Sequence, residues 1–183
     1  MDHLEIWDDE NGYASKIGED KQARYNARMM ILNTLCGIKK TIVFLMADYE
    51  AVNRWGLIAS DWRKRPTYTA VQNVCKILDD NQRISDIKAV LSEKREGVYA
   101  HVFENTNTLL VLLWAGDKTL PASGQVDVVL KTSELAYPVM MDVVTGELDE
   151  VSYDFENGEL RLKQVPYSGN PVAIRLIKKS AAK

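Results

Sequence analysis

Leu4-Glu5-Ile6-Trp7-Asp8-Asp9-Glu10-Asn11-Gly12-Tyr13 decides how this chain is read. A short apolar run closes on acids, then on a glycine and an aromatic. Leu4–Trp7 suits a strand buried on both faces, and Asp8–Asp20, rich in acids and glycine, suits the loop after it. Working outward, the spacing predicts a helix over Lys21–Cys36. Ala23, Ala27, Met30, Ile31, Thr34 and Leu35 share one face, while Arg24, Asn26, Arg28 and Asn33 take much of the other. Gly37 supplies the stop. Thr41–Leu45 is a second apolar strand and Met46–Arg65 a long loop. Pro66 then opens another helix, where proline's missing N–H costs nothing. Tyr68, Val71, Val74, Cys75 and Leu78 line its apolar face, and it ends near Asp79-Asp80.

Strand, acid, helix, strand, helix is how the last part of a (β/α)₈ barrel reads, with its chemistry where strands end in loops. Two strands joined through a helix are expected to pair in parallel. Two such strands leave both outer edges unpaired, so the segment needs further strands from elsewhere. The run starts at the beginning of the sequence, so most of the implied barrel is expected to be missing.

After residue 83 the period changes from helical to alternating. Strands are predicted at Ile87–Leu91, Val98–Phe103, Leu109–Trp114, Val126–Lys131, Val139–Val143, Glu150–Phe155, Glu159–Val165 and Pro171–Ile177. Asn157-Gly158 is a strong hairpin signal, and Thr145-Gly146 marks another turn. Short antiparallel strands at this spacing predict a β-sandwich, with Trp114 in its core. The fold class is therefore α/β plus all-β: a barrel end over 1–80, then a sandwich over 84–178.

Composition narrows the function classes. Of 183 residues, 23 are basic and 26 acidic, giving a net charge of -3 and no basic stripe for nucleic acid. No apolar run approaches the roughly 18 residues that span a bilayer. Residues 1–20 have neither a basic n-region nor an apolar h-region, so no signal peptide is expected there, and the compartment stays open. Cys36 and Cys75 are expected to be small buried hydrophobes rather than a disulfide, and His3 and His101 structural. No His/Cys/Asp cluster has ligand spacing, so no metal or cofactor is expected.

A glycosidase of the common type needs two carboxyl groups flanking the scissile bond. Glu10 stands where a strand gives way to a loop, Gly12 permits close approach, and Tyr13, Tyr49 and Trp55 offer aromatic faces to a sugar. From the residues alone, a solvated acidic turn is the better explanation of Asp8-Asp9-Glu10.

Five motifs occur in order: Glu10-Asn11-Gly12-Tyr13, Gln22-Ala23-Arg24-Tyr25, Gly37-Ile38, Trp55-Gly56-Leu57 and Arg65-Pro66-Thr67-Tyr68. In this order they resemble the end of a clan A retaining glycoside hydrolase, a (β/α)₈ superfamily that often carries a C-terminal β-sandwich. The resemblance implies Glu10 as nucleophile, with Trp55, Tyr13 and Asp48 around the sugar. It also implies a carbohydrate substrate and, as partner, the missing N-terminal barrel half with its acid/base glutamate. Phe44-Leu45-Met46 departs from the aromatic the family often has near the end of its eighth strand. Asp8 and Asp9 are expected to be solvated or paired, and Trp62 and Tyr68 to pack on the last helix. Two other readings stand beside this one. One is half of a split glycosidase. The other is a non-catalytic carbohydrate-binding or scaffolding sandwich using Tyr99, Phe103, Tyr137, Tyr153 and Tyr167.

Overall fold

β1 (Trp7–Asn11) and β2 (Lys40–Val43) lie side by side in parallel, Trp7 opposite Lys40 and Asp8 opposite Thr41. The register shifts before Asn11 meets Val43. The computed structural model describes residues 5–50, 54–78, 83–119, 122–132 and 135–178. A 3-10 turn (Ser15–Ile17) and α1 (Glu19–Leu35) join the two strands, and α2 (Pro66–Ile77) follows the long connection after β2. The βαβα order and the parallel pairing are those expected. The chain divides into two compact units, Met1–Lys76 with Val144–Gly146, and Ile77–Val143 with Glu147–Lys183.

β1 falls later than expected, so Asp8, Asp9 and Glu10 are strand residues rather than loop. Pairing with β2 overrides the weak strand preference of aspartate, which is context-dependent. Nor is either strand buried on both faces: Trp7 of β1 and Ile42 of β2 are half exposed, as are Ile6 just before β1 and Met46 beyond β2. Among the described residues each strand has only the other as a neighbour, so one edge of each is unpaired. Lys40 places its ammonium 3.9 Å from the Trp7 ring.

The helices bury different faces from those the spacing suggests. α1 buries Ala23, Ala27 and Ile31, but also Gln22, Asn26 and Arg28. α2 buries Thr67, Ala70, Asn73 and Val74, leaving Tyr68 and Val71 half-buried. The Thr67 hydroxyl finds a buried partner in Asn26. Cys36 and Cys75 are both free and exposed, not buried. Cys36 sits past the last turn of α1, and Cys75 on the outer side of α2.

The second unit is antiparallel throughout. One sheet runs β3 (Arg83–Ile84), β5 (Val98–Glu104), β6 (Thr108–Ala115), β12 (Val172–Lys178), β8 (Leu135–Asp142), β9 (Leu148–Glu150). The other runs β10 (Tyr153–Glu156), β11 (Glu159–Tyr167), β7 (Gly124–Lys131), β4 (Ala89–Leu91). Val102, Val111 and Leu113 from the first meet Val128, Leu130, Leu160 and Leu162 from the second in one core, which makes the pair a β-sandwich. Asn157 (φ 52°) and Gly158 (φ 77°) both adopt the left-handed conformation that an Asn-Gly hairpin turn demands.

Two expectations change here. Glu150–Phe155 is not one strand: β9 pairs with β8 and β10 with β11, so the chain crosses between sheets at Val151, which stays in the core. Trp114 is buried, yet not between the sheets. Strand alternation turns Leu113 and Ala115 inward and Trp114 to the opposite face. There Tyr99 and His101 stack on it at 5.6 and 5.3 Å.

Candidate functional site

Because β1 and β2 are parallel, their carboxyl ends open into loops on the same side. Glu10 is the penultimate residue of β1, and it is exposed. Around it the backbone is tightly held. The Asn11 carbonyl accepts the Phe44 N–H at 2.8 Å, and Asn11 Oδ1 accepts the Gly12 N–H at 2.8 Å. Asn11 Nδ2 donates to Asp8 Oδ2 at 2.6 Å, and Asn33 Nδ2 from α1 donates to the same oxygen at 2.5 Å. Asp8 is thus a strut between β1 and α1. A β-carbon on Gly12 would lie 2.7 Å from the Phe44 carbonyl oxygen, so the turn after Glu10 closes onto β2 only because the residue is glycine.

The next link is Asn26, fully buried in α1. Its Oδ1 accepts the Tyr13 N–H at 2.9 Å and its Nδ2 donates to Thr67 Oγ1 at 2.9 Å, tying the turn to both helices. Tyr13 is exposed on one side and meets Tyr25 edge-on at 5.1 Å. The Ser15 N–H donates to the Arg54 carbonyl at 2.6 Å, which brings the loop after β1 against the loop carrying Trp55. Trp55 and Phe44, both part-exposed, pack edge to face at 6.5 Å. The aromatic surface at the end of β2 is therefore Phe44 with Trp55.

Asp48 is buried, only 6% exposed, and both carboxylate oxygens are used within the protein. Oδ1 accepts the Gly56 N–H at 2.7 Å and Oδ2 accepts Arg65 Nη1 at 2.7 Å. The same Nη1 donates to the Gly56 carbonyl at 2.7 Å, and Arg65 Nε reaches Glu19 Oε1 at 3.2 Å. Gly56 has no room for a side chain: its β-carbon would lie 2.5 Å from the Ile58 carbonyl oxygen. Asp48 and Arg65 thus grip the peptide next to Trp55. Asn26 and Asn33 went unrecognised in the sequence because a polar residue on an amphipathic helix reads as solvent-facing by default, and Glu19 and Arg65 because a charged residue in a loop reads the same way.

Glu19 closes the network, taking two N–H bonds from Arg63 at 3.0 and 2.8 Å. The Arg63 hydrogen bond, opposed by partial burial and aided by the Arg63 charge, holds the Glu19 carboxyl below its ordinary 4.5. A depressed folded value contributes stability above the unfolded value and loses it as pH falls through the folded one. Glu19→Gln is therefore expected to lower stability by a constant amount at neutral pH. The deficit should close as the pH drops below 4.5 through the folded value. Urea unfolding of both proteins across that range checks this; a deficit unchanged in acid would refute it.

Trp62 does not pack on α2 as expected. It stands in solvent, 79% exposed, while Tyr68 lies half-buried with the Lys64 ammonium 4.4 Å from its ring. Among the described residues, no group of three or more His, Cys, Asp or Glu is placed to hold a metal ion. No described helix is long and apolar enough to cross a membrane. A cavity of about 450 Å³ opens in the sandwich beside Met140, Asp142, Asp149 and Pro166. Asp142 there accepts Asn170 Nδ2 at 3.1 Å.

No protein-family model and no curated protein sequence matches the chain. Solved structures do. A GH30 endoxylanase from Clostridium papyrosolvens aligns with a TM-score of 0.64 at 10% identity, over 93% of this chain and 41% of that one. The chain has the fold of part of a GH30 glycoside hydrolase. A GH30 subfamily 8 xylanase from Clostridium acetobutylicum gives 0.59 at 10% identity, over 94% of this chain and 42% of that one. The catalytic domain of GH30 xylanase C from Talaromyces cellulolyticus gives 0.57 at 14% identity, over 96% and 41%. At these identities the likeness is one of fold. The fold that the motif resemblance implies and the fold of these structures agree. The chain spans about two fifths of the length of these relatives.

Proposed function

We propose that this chain is the C-terminal part of a retaining glycoside hydrolase. Residues 1–80 form its last two βα units and 84–178 its appended sandwich. The observation that carries the reading is Glu10, exposed at the carboxyl end of a parallel strand and followed by a glycine-dependent turn into Tyr13. The GH30 fold likeness supports it. In this mechanism the Glu10 carboxylate attacks the anomeric carbon as the leaving oxygen takes a proton from a second carboxylic acid. The covalent glycosyl-enzyme is then hydrolysed by water that the second group activates, and configuration is retained. The second carboxyl belongs to the barrel half this chain lacks, about 5–5.5 Å from Glu10 in a working enzyme. Tyr13 and Trp55 present ring faces to the sugar, and Asp48 acts through Gly56 and not on the sugar itself. The named activities of the similar structures make a xylan backbone the substrate to try first.

The exposed Ile6, Trp7, Ile42 and Met46 give the partner half an apolar surface to cover. The purified chain alone is expected to release no reducing sugar from soluble xylan. Co-expression with a segment supplying the remaining βα units should restore hydrolysis, with the first-formed anomer retained by NMR. Turnover of an aryl xyloside by the isolated chain, or an inverted product, would overturn the proposal. The binding-sandwich reading ranks behind it, because Phe103 and Tyr167 are buried and one ring face of Tyr99 is taken by Trp114. Of its five aromatics Tyr99, Tyr137 and Tyr153 are exposed, and they are spread over both sheets of the sandwich rather than gathered on one face.

A further inference from the structure

Among the described residues Trp62 is the most exposed of the large apolar side chains, and its backbone sits at φ 66°. Both features carry a cost. A bulky aromatic in the left-handed region is strained, and a turn there takes glycine or asparagine more cheaply. The turn that presents it is firmly anchored. The Ala59 N–H donates to the Arg63 carbonyl and the Trp62 N–H to the Ala59 carbonyl, each at 2.9 Å. Asp61 Oδ1 accepts the Arg63 N–H at 3.1 Å. On one side Leu57 and Ala59 are buried, and on the other Arg63 is clamped to Glu19 by two hydrogen bonds. A rigid turn thus carries one indole into solvent, and neither burial nor turn geometry accounts for it.

We propose that this turn is a second carbohydrate-binding point, outside the Tyr13–Trp55 pair, at which the Trp62 indole stacks on a sugar ring of a polysaccharide. The surroundings choose the occupant. Ser60, Asp61, Arg63 and Lys64 are all exposed, so the indole is ringed by hydrogen-bonding and charged groups. The centre of a protein interface is depleted of charge and needs contiguous apolar area, which a lone indole does not supply. A pyranose fits better. Its C–H face lies on the apolar ring, and its hydroxyls meet the polar rim. The polysaccharide class rests on the function proposed above; the role of Glu10 does not enter.

The test is affinity electrophoresis of the full chain in gels containing soluble xylan, mixed-linkage β-glucan or galactomannan. The unmodified chain should be retarded by at least one of them. Trp62→Ala and Trp62→Gly should weaken that retardation about tenfold, a loss of about 1.4 kcal/mol. Trp62→Tyr, which keeps a ring, should retain most of it. Glycine suits the left-handed backbone, so an unchanged thermal midpoint for Trp62→Gly shows that the fold is intact. Binding needs no turnover, so an inert Glu10 would leave these results unaltered. Three outcomes overturn the proposal: no retardation of the unmodified chain by any of the three glycans, equal retardation of the alanine variant, or a Trp62 dependence seen only with anionic lipid vesicles or in self-association.

Discussion

Glu10→Gln in the completed barrel is expected to lower turnover of xylan on the order of 10⁴- to 10⁶-fold, the scale on which removing a covalent nucleophile acts. Glutamine matches glutamate in size but is neutral and cannot form the glycosyl ester. Glu10 is exposed at the end of β1, so the change should leave folding intact. A loss of turnover with an unchanged melting profile is then a loss of chemistry. Glu10→Ala sharpens the test. The shorter side chain leaves room for azide, which attacks an activated aryl glycoside from the vacated side and yields a glycosyl azide of inverted configuration. Full activity in Glu10→Gln, or no azide product from Glu10→Ala, would place the nucleophile elsewhere.

The second large effect falls on stability. Arg65→Met should destabilise the first unit by about 3–5 kcal/mol, the cost of leaving a buried charge without its partner. Methionine keeps the apolar stem of Arg65 but removes both Nη1 bonds, to Asp48 Oδ2 and to the Gly56 carbonyl. The Asp48 side chain is 1% exposed, so water cannot take over. Asp48→Asn should cost less, because Arg65 keeps Glu19 at 3.2 Å and the asparagine oxygen can still accept the Gly56 N–H. The double variant should lose less than the sum of the two, since each disrupts the same pair. Tryptophan fluorescence during urea unfolding suits the measurement: three of the four tryptophans, Trp7, Trp55 and Trp62, lie in this unit. A loss below about 1 kcal/mol, typical of exposed ion pairs, would mean that the pair is hydrated in solution.

Both expectations act on groups the sequence treats very differently. Glu10 is legible because its signal is local: an apolar run, an acid, then glycine and an aromatic. The helices over Lys21–Cys36 and from Pro66, the parallel pairing they force and the Asn157-Gly158 hairpin are legible for the same reason. Each follows from periodicity or turn chemistry within a few residues.

Arg65 and Asp48 carry no such signal. An arginine before a proline and an aspartate after a strand look like surface residues until a folded chain puts a donor and an acceptor 2.7 Å apart and excludes water from both. Asn26 is the same case: the outer face of an amphipathic helix by spacing, the buried link between two helices in fact. Trp62 is the reverse, apolar and therefore assigned to packing, yet held out in solvent by a clamped turn. The sequence by itself determined the order, type and pairing sense of the first unit's elements, the change to alternating strands, and the acid at the end of β1, because short-range sterics and hydrophobic period decide them. Tertiary structure alone decided which polar groups are buried, which aromatics are presented, and where the chain passes from β9 to β10. Those depend on whether a partner distant in sequence arrives to satisfy a hydrogen bond or cover a ring.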